Sequence, residues 1–400
     1  MDQLQALLTD VLREGIGAKT AAIAIVIIGL NVHFGYTGLL NMGQAGFMLL
    51  GGYGFAISVA HDIPFVVAIL IGFALATVFA MIIGFSALTL RGDYLAIVTI
   101  AAAEVIKILG NSERFKSLTG GSLGFPSKKY DPAFLNLSFF PHYKTWQILS
   151  FNYADVSTSA GFRIFGWLVV LALAVGLVLA GMKLASGTRK ILVMVGLGVV
   201  LLLAALFMFP LTELSTGDSK VGDHVASSTG WWVVFVGWVL AAICTGIVYL
   251  LTRSPWGRML KGIREDEDAI RSLGKNVFAV KLQALIIGGC FGALGGMVYA
   301  LSLGAIKADD QARPMTFLCY TALLIGGAAT LLGPIIGPVL YFFGQWTIEG
   351  IVRFYVPDSF LSDQQAEPTA YVVMGTVLML LVIFRPQGIF GDKRELRFHV

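Results

Sequence analysis

Asn31, Asn41 and Gln44, with the hydroxyls of Tyr36 and Thr37, stand in a run that is otherwise apolar from near Ala21 onward. They share the stretch GYTGLLNMGQAGF, Gly35 to Phe47, with four glycines that loosen the backbone. Side chains of this kind donate and accept hydrogen bonds without carrying charge, which suits contact with a neutral polar solute. In hydrocarbon an unpaired amide or an interrupted helix costs several kcal/mol, so such a stretch is stable only packed in protein or beside a wet cavity. The functional expectation is a polar passage through a membrane lined by Asn31, Tyr36, Thr37, Asn41 and Gln44. The competing expectation is hydrogen bonding between helices, worth about 0.6 to 2 kcal/mol per bond.

A second polar group lies at SPWGRMLKGIREDEDAIRSLGKNV, within residues 252–281. Seven basic and four acidic residues fall between Arg253 and Lys281. Ser254 followed by Pro255 starts a helix well, and Gly274 stops one. Asp266, Glu267 and Asp268 fit the first turn of a second short helix and Arg271 its later part, as the helix dipole prefers. Ala269, Ile270 and Leu273 give that helix a narrow apolar stripe, which points to a surface where a partner docks.

Catalytic chemistry has little support. The chain has no GxxxxGK[ST] phosphate loop, so ATP hydrolysis by that route is excluded, and no HExxH or GxSxG. The five histidines are scattered, and His33 reads as a packed, hydrogen-bonded side chain. Cys244, Cys290 and Cys319 lie apart in apolar segments and read as buried thiols. No cofactor, metal or nucleic acid is expected.

The elements that must position these groups follow from composition. With 57% hydrophobic and 13% charged side chains and a mean hydropathy of +0.81, the 400 residues describe a polytopic membrane protein. At roughly 20 apolar residues per helix, the sequence holds about ten transmembrane segments in an all-α bundle. Residues 1–18 lack the basic start of a cleavable signal, and their leucines repeat at helical spacing, as in an amphipathic surface helix. Apolar spans fill 19–110, among them one bearing Glu104 and Lys107 on one helical face, where they can pair. A polar and aromatic loop occupies 111–162, further spans occupy 163–251, the charged loop 252–281, the last spans 282–385 and a basic tail 386–400. The block 317–351 is long enough for two spans, and the final span begins near Thr369. Gly288, Gly292 and Gly296, four residues apart, permit close helix packing.

If 252–281 faces the cytoplasm, so do Arg91, the turn at 183–190 and the tail. Together with Arg385 just before the tail, these hold fifteen of the 28 Lys and Arg residues, as the positive-inside rule requires. The side on which the N-terminal segment lies is left open.

Several stretches together resemble one family. They are GYTGLLNMGQAGFMLLGGYGF, LRGDYLAIVTIAAAEVIKIL, TGGSLGF, GIREDEDAIRSLGKNVFAVKLQALIIGGCFGALGGMVYA, LLIGGAATLLGPIIGPVL and FRPQGIFG. In this order they are similar to the permease subunits of ABC importers for branched-chain amino acids, the longer of the paired permeases. The resemblance implies a type II importer-like helical fold with a glycine-rich central helix, in a bacterial or archaeal cytoplasmic membrane. It implies a second permease subunit, two cytoplasmic ATP-binding subunits and an extracytoplasmic solute-binding protein as partners, besides lipid. Asp268, Ala269, Ile270 and Gly274 match the spacing of the EAAxxxG loop through which importer permeases touch their ATPases. Arg264, Glu265, Asp266, Glu267, Asp268, Ala269, Ile270 and Gly274 are therefore the expected coupling residues. Urea or short-amide import is the alternative within the family's wider kin. An ion-coupled carrier using Asp93, Glu104, Lys107 or Glu349, and a membrane enzyme with its site in the outer loop, are the alternatives outside it.

Overall fold

Thirteen residues dominated by Ile, Val and Ala form helix α1, Ala18–Leu30, and every one from Thr20 to Leu30 is buried. A helix that is apolar on every side is stable only when it is surrounded. It is the axis of the bundle. The chain does not end it with a conventional cap: residues Asn31–Thr37 continue as a π-helical turn, closed by Gly38 in the left-handed conformation (φ 75°). Irregular backbone, in which Asn41 N bonds the Leu39 carbonyl at 3.0 Å, and a turn at residues 42–43 then lead into helix α2, Gln44–Ala60.

The computed structural model describes residues 11, 14–88, 92–126, 230–303, 305–355, 363–385 and 387–390. Apart from Gly230 and Trp231, these fall in a single unit. After α2 come α3, Phe65–Ala87, and α4, Gly92–Asn111, then one helical turn at Lys116–Thr119 and strand β1, Phe125–Pro126. The second described part holds α5, Gly230–Arg253; α6, Pro255–Glu265; α7, Glu267–Ser272; and α8, Val277–Ser302. Strand β2, Ala305–Ile306, precedes α9, Arg313–Gly326; α10, Gly333–Tyr355; and α11, Asp363–Phe384.

Among the described residues six helices are long and apolar enough to cross a membrane, at 18–37, 65–87, 94–111, 233–253, 277–302 and 333–353. Their burial differs sharply. The first is 94% buried and α8 78%, whereas α3 and α4 are 33% and 22% buried. The first pair therefore forms the interior and the second faces the surroundings, with Val66, Leu70, Ile82 and Phe85 of α3 exposed. Helix α8 packs along α1, α2 and α3. Contact is backbone-close: a Cβ on Gly296 would run into the backbone of Met48, and one on Gly51 into that of Ala293. Helix α1 holds one glycine, Gly29, which meets the Gly288 carbonyl, and Gly288 and Gly295 of α8 supply the rest of that close approach.

Strands β1 and β2 pair antiparallel, Phe125 with Ile306 and Pro126 with Ala305, which brings the C-terminal ends of α4 and α8 to one side. On the same side Trp238 Nε1 donates to the Ile16 carbonyl, 2.8 Å away. Helix α1 therefore starts on this side, opposite the segment at 254–274, which settles the side of residue 16.

The block 317–351 does contain two helices, the ends of α9 and α10, separated at residues 327–332, where Ala329 takes a positive φ of 61°. The last helix starts at Asp363, six residues ahead of the expected Thr369. The part of the expected spans 163–251 that precedes Gly230, most of the 1–18 segment, the 111–162 loop after Pro126 and the tail after Phe390 lie outside the described residues.

Candidate functional site

Broken helix in a membrane leaves backbone groups that must find partners. The α1–α2 connection finds them in side chains from the rest of the bundle. Met42 N donates to Thr99 Oγ1 of α4 (3.0 Å), and Ala45 N, in the first turn of α2, donates to Thr316 Oγ1 of α9 (3.0 Å). Tyr320 of α9 donates its hydroxyl to the Asn41 carbonyl (2.9 Å). Asn41 Oδ1 takes the amide of Gly43 (2.9 Å). The N-terminus of α2 is thus capped from inside the protein.

Asn41 and Gln44 stand at the centre of this arrangement, both with no exposed surface. Asn41 Nδ2 lies 3.1 Å from both Gln44 Oε1 and His33 Nδ1. Gln44 Nε2 donates to the carbonyls of Val26 in α1 (3.4 Å) and Gly288 in α8 (3.3 Å). The other His33 nitrogen, Nε2, sits 3.1 Å from the Leu285 carbonyl, so a neutral ring with its proton on Nε2 satisfies both neighbours. One amide pair and one imidazole therefore tie α1, α2 and α8 together without a charge.

Asn31 is not part of that cluster. Its Oδ1 accepts from Ala329 N and its Nδ2 donates to the Thr330 carbonyl, both at 2.8 Å, so it grips the break between α9 and α10. The same break is held from the other side by the FRPQGIFG motif, where Ile389 N and Phe390 N donate to the carbonyls of Ile325 (3.0 Å) and Gly326 (3.2 Å). Thr37 Oγ1 returns to the Val32 carbonyl at 2.7 Å, within the π-helical turn, and Tyr36 is buried. The five residues nominated for the passage are thus all buried. The structure brings Asn41 and Gln44 into one network, and places Asn31, Tyr36 and Thr37 at the inner end of α1.

Thr99, Thr316 and Tyr320 escaped the sequence reading, since a threonine or tyrosine in an apolar helix carries no signal of a partner 57 to 279 residues away.

The segment at 254–274 is built as the sequence dictates. Ser254 Oγ accepts from Gly257 N (3.4 Å), with Pro255 at the first position of α6, and Leu260 and Ile263 are buried beneath it. Asp266 Oδ1 accepts from Ala269 N (2.9 Å) to cap α7. Glu267 and Asp268 fill its first turn, and Arg271 pairs with both, at 2.9 and 3.4 Å. Gly274 ends the segment at φ 74°. Lys281 at the foot of α8 pairs with Glu267. Ile270 turns back toward Gly262 of α6, while Glu265, Asp268, Ala269 and Leu273 are exposed, Leu273 by 72%. This face leaves an apolar side chain in solvent. From α6, Arg264 Nη1 donates to the Gly35 carbonyl in the π-helical turn. The charged segment and the broken helix, 229 residues apart, are in direct contact.

Glu104, Lys107 and Glu349, three of the charged groups that an ion-coupled carrier would use, are paired. Glu104 lies 3.3 Å from Lys107 and 3.1 Å from Arg313, Lys107 lies 3.5 Å from Asp309, and Glu349 lies 2.5 Å from Arg353. In the loop before α9, partial burial raises the pKa of Asp310 above the ordinary carboxylate value, with Lys307 opposing. Among the described residues no group of three or more His, Cys, Asp or Glu side chains is arranged to hold a metal ion.

The family described as the permease component of the branched-chain amino acid transport system matches residues 13–151 and 159–382. The chain belongs to that family. It is a multi-pass membrane protein and a permease subunit of an ABC importer, and its family places it in the cytoplasmic membrane. The high-affinity branched-chain amino acid transport system permease protein LivM of Escherichia coli is 25% identical over 382 residues, covering 95% of this chain and 70% of the relative. A probable branched-chain amino acid transport permease protein LivM of Methanocaldococcus jannaschii is 25% identical over 186 residues, 43% of this chain and 54% of the relative. The autoinducer 2 import system permease protein LsrC of Photorhabdus laumondii is 25% identical over 154 residues, 37% of this chain and 43% of the relative. No solved structure matches. In this permease the matched region takes in both the buried amide network and the segment at 254–274.

Proposed function

We propose that this permease forms half of a translocation path for branched-chain amino acids, completed by a second permease subunit, driven by two cytoplasmic ATP-binding subunits and supplied by an extracytoplasmic binding protein. The observation that carries this reading is the helix Glu267–Ser272, capped by Asp266, exposed at Leu273 and joined through Arg264 to the inner end of the buried helix α1. A lever of that kind has a use when something outside the chain pushes on it. Loaded binding protein docks on the β1–β2 side, ATP binding closes the ATPases against residues 264–274, and the motion reaches α1 and α8. Asn41 and Gln44 line the path in the state in which the bond between them opens, with Tyr36 and Thr37 toward its inner end, while Asn31 holds the α9–α10 break. Their uncharged donors and acceptors suit a zwitterion, whose two charges sum to zero.

Replacing Asp266, Glu267 and Asp268 together by lysine tests the reading. The variant inserts and is exported to the membrane normally, but loses leucine uptake and stimulation of the ATPases in proteoliposomes. Uptake at the native rate refutes it.

The local likeness to autoinducer 2 permeases shows that related helices are found in importers named for other solutes. Competition of labelled leucine uptake by valine, urea and short amides separates these substrates: inhibition by urea or amides alone favours the alternative.

A further inference from the structure

The turn at Asn31–Thr37 ends on Gly38 in the left-handed conformation, which leaves its last carbonyls without helical partners. In a regular α-helix the Gly35 carbonyl would accept from the amide four residues on, that of Leu39. Here Leu39 N reaches back six residues to the His33 carbonyl at 2.8 Å, while Gly38 N bonds that of Phe34 at the ordinary four-residue spacing, 3.2 Å. The Gly35 carbonyl is thereby turned out to Arg264. Arg264 also fills the space at Gly38, where a Cβ would meet its Cγ at 3.0 Å and its Cα at 3.5 Å. A regular α-helix continued through Gly38 would give that carbonyl to the Leu39 amide, so the bond to Arg264 favours the wide turn over the regular one. The turn is connected onward: a Cβ on Gly35 would strike Asn31 Oδ1 and Ala329 N, so the backbone at Gly35 lies against the Asn31 clamp on the α9–α10 break.

We propose that Arg264 is a positioning residue that latches the Asn31–Thr37 turn in its π-helical form, and that release of this latch is how movement of the 254–274 segment reaches α1 and the α9–α10 break. This rests on the proposed function, in which ATPases move that segment. Coupling is carried here by one element with two backbone arrangements.

Two measurements test the latch, and one of them is independent of transport. In the purified full-length chain, Arg264→Ala changes the hydrogen-exchange rates of amides 35–40 at least threefold on the order expected for loss of one local bond, and Arg264→Lys, which keeps a cationic donor, returns them toward the native rates. Unchanged exchange in Arg264→Ala overturns the proposal whatever the transport result. In the assembled importer, Arg264→Ala carries roughly tenfold less leucine per ATP hydrolysed, a coupling change of the usual allosteric size, and Arg264→Lys recovers most of it. A native transport-to-ATP ratio in Arg264→Ala, or equal loss of assembly in the Ala and Lys variants, overturns it, the latter leaving Arg264 a mere docking residue. Absence of ATP-driven leucine uptake in the wild type removes the proposed function instead, while the exchange result still decides the latch.

Discussion

Replacing Asn31 by leucine gives a test in which a packing role and a path-lining role part company. Asn31 is 1% exposed, and its amide satisfies both the N–H of Ala329 and the carbonyl of Thr330 at 2.8 Å. Leucine is of similar size, so it fills the place, keeps water out and leaves both backbone groups without partners. Each orphaned group costs about 1–2 kcal/mol, in the lower part of the range for buried groups because bonds inside membranes measure weaker than expected. The total is about 2–4 kcal/mol, a substantial part of a typical margin of about 5–15 kcal/mol. Ala329 sits at φ 61°, a conformation that a non-glycine residue holds only when its surroundings fix it, so the loss centres on the α9–α10 break. Unfolding of the purified permease by dodecyl sulfate in mixed micelles, followed by circular dichroism, measures it. Leucine uptake falls in Vmax with less folded protein and keeps its KM. A stability loss below about 0.5 kcal/mol, within the ordinary surface range, refutes the packing argument; a large KM change at native stability assigns Asn31 to the path.

Three further outcomes follow from the same geometry. Gly296→Ala drives a Cβ into the Met48 backbone and lowers stability by about 1–3 kcal/mol, while Gly246→Ala, where a Cβ meets nothing within 4 Å, is near neutral in the same unfolding assay. Asp266→Ala removes the cap of α7 and costs that helix about 0.5–2 kcal/mol, seen as faster hydrogen exchange over 267–272, with Asp266→Ser restoring most of it. In oriented vesicles a membrane-impermeant maleimide labels Leu273→Cys (72% exposed in the parent) from the cytoplasmic face and Leu123→Cys (78%) from the other, and labelling of both from one face contradicts the arrangement of α4 and α8.

Much of the architecture was legible because its signals are local. Ser254, Pro255, Asp266 and Gly274 mark the ends of α6 and α7 through bonds that reach three or four residues, and the i, i+3 pair Glu104–Lys107 forms as spacing alone implies. His33 is the packed, hydrogen-bonded histidine that an isolated imidazole in an apolar helix usually is. The coarse class followed from composition, since 13% charged residues cannot clothe a soluble protein of this length.

What only the tertiary structure decided is which apolar helix lies inside and what each buried amide holds. Helix α3 is more hydrophobic than the span at 18–37, yet that span is 94% buried and α3 33%. Lipid is as apolar as a leucine side chain, so hydropathy drives a helix into the membrane and is silent on whether protein or lipid then surrounds it. The amides of Asn31, Asn41 and Gln44 stood out in the sequence as needing partners, and their partners come from α1, α8 and the α9–α10 break, up to 299 residues away. The sequence thus set the demand for hydrogen bonds. The packing of distant helices met it, and placed Arg264 against Gly35.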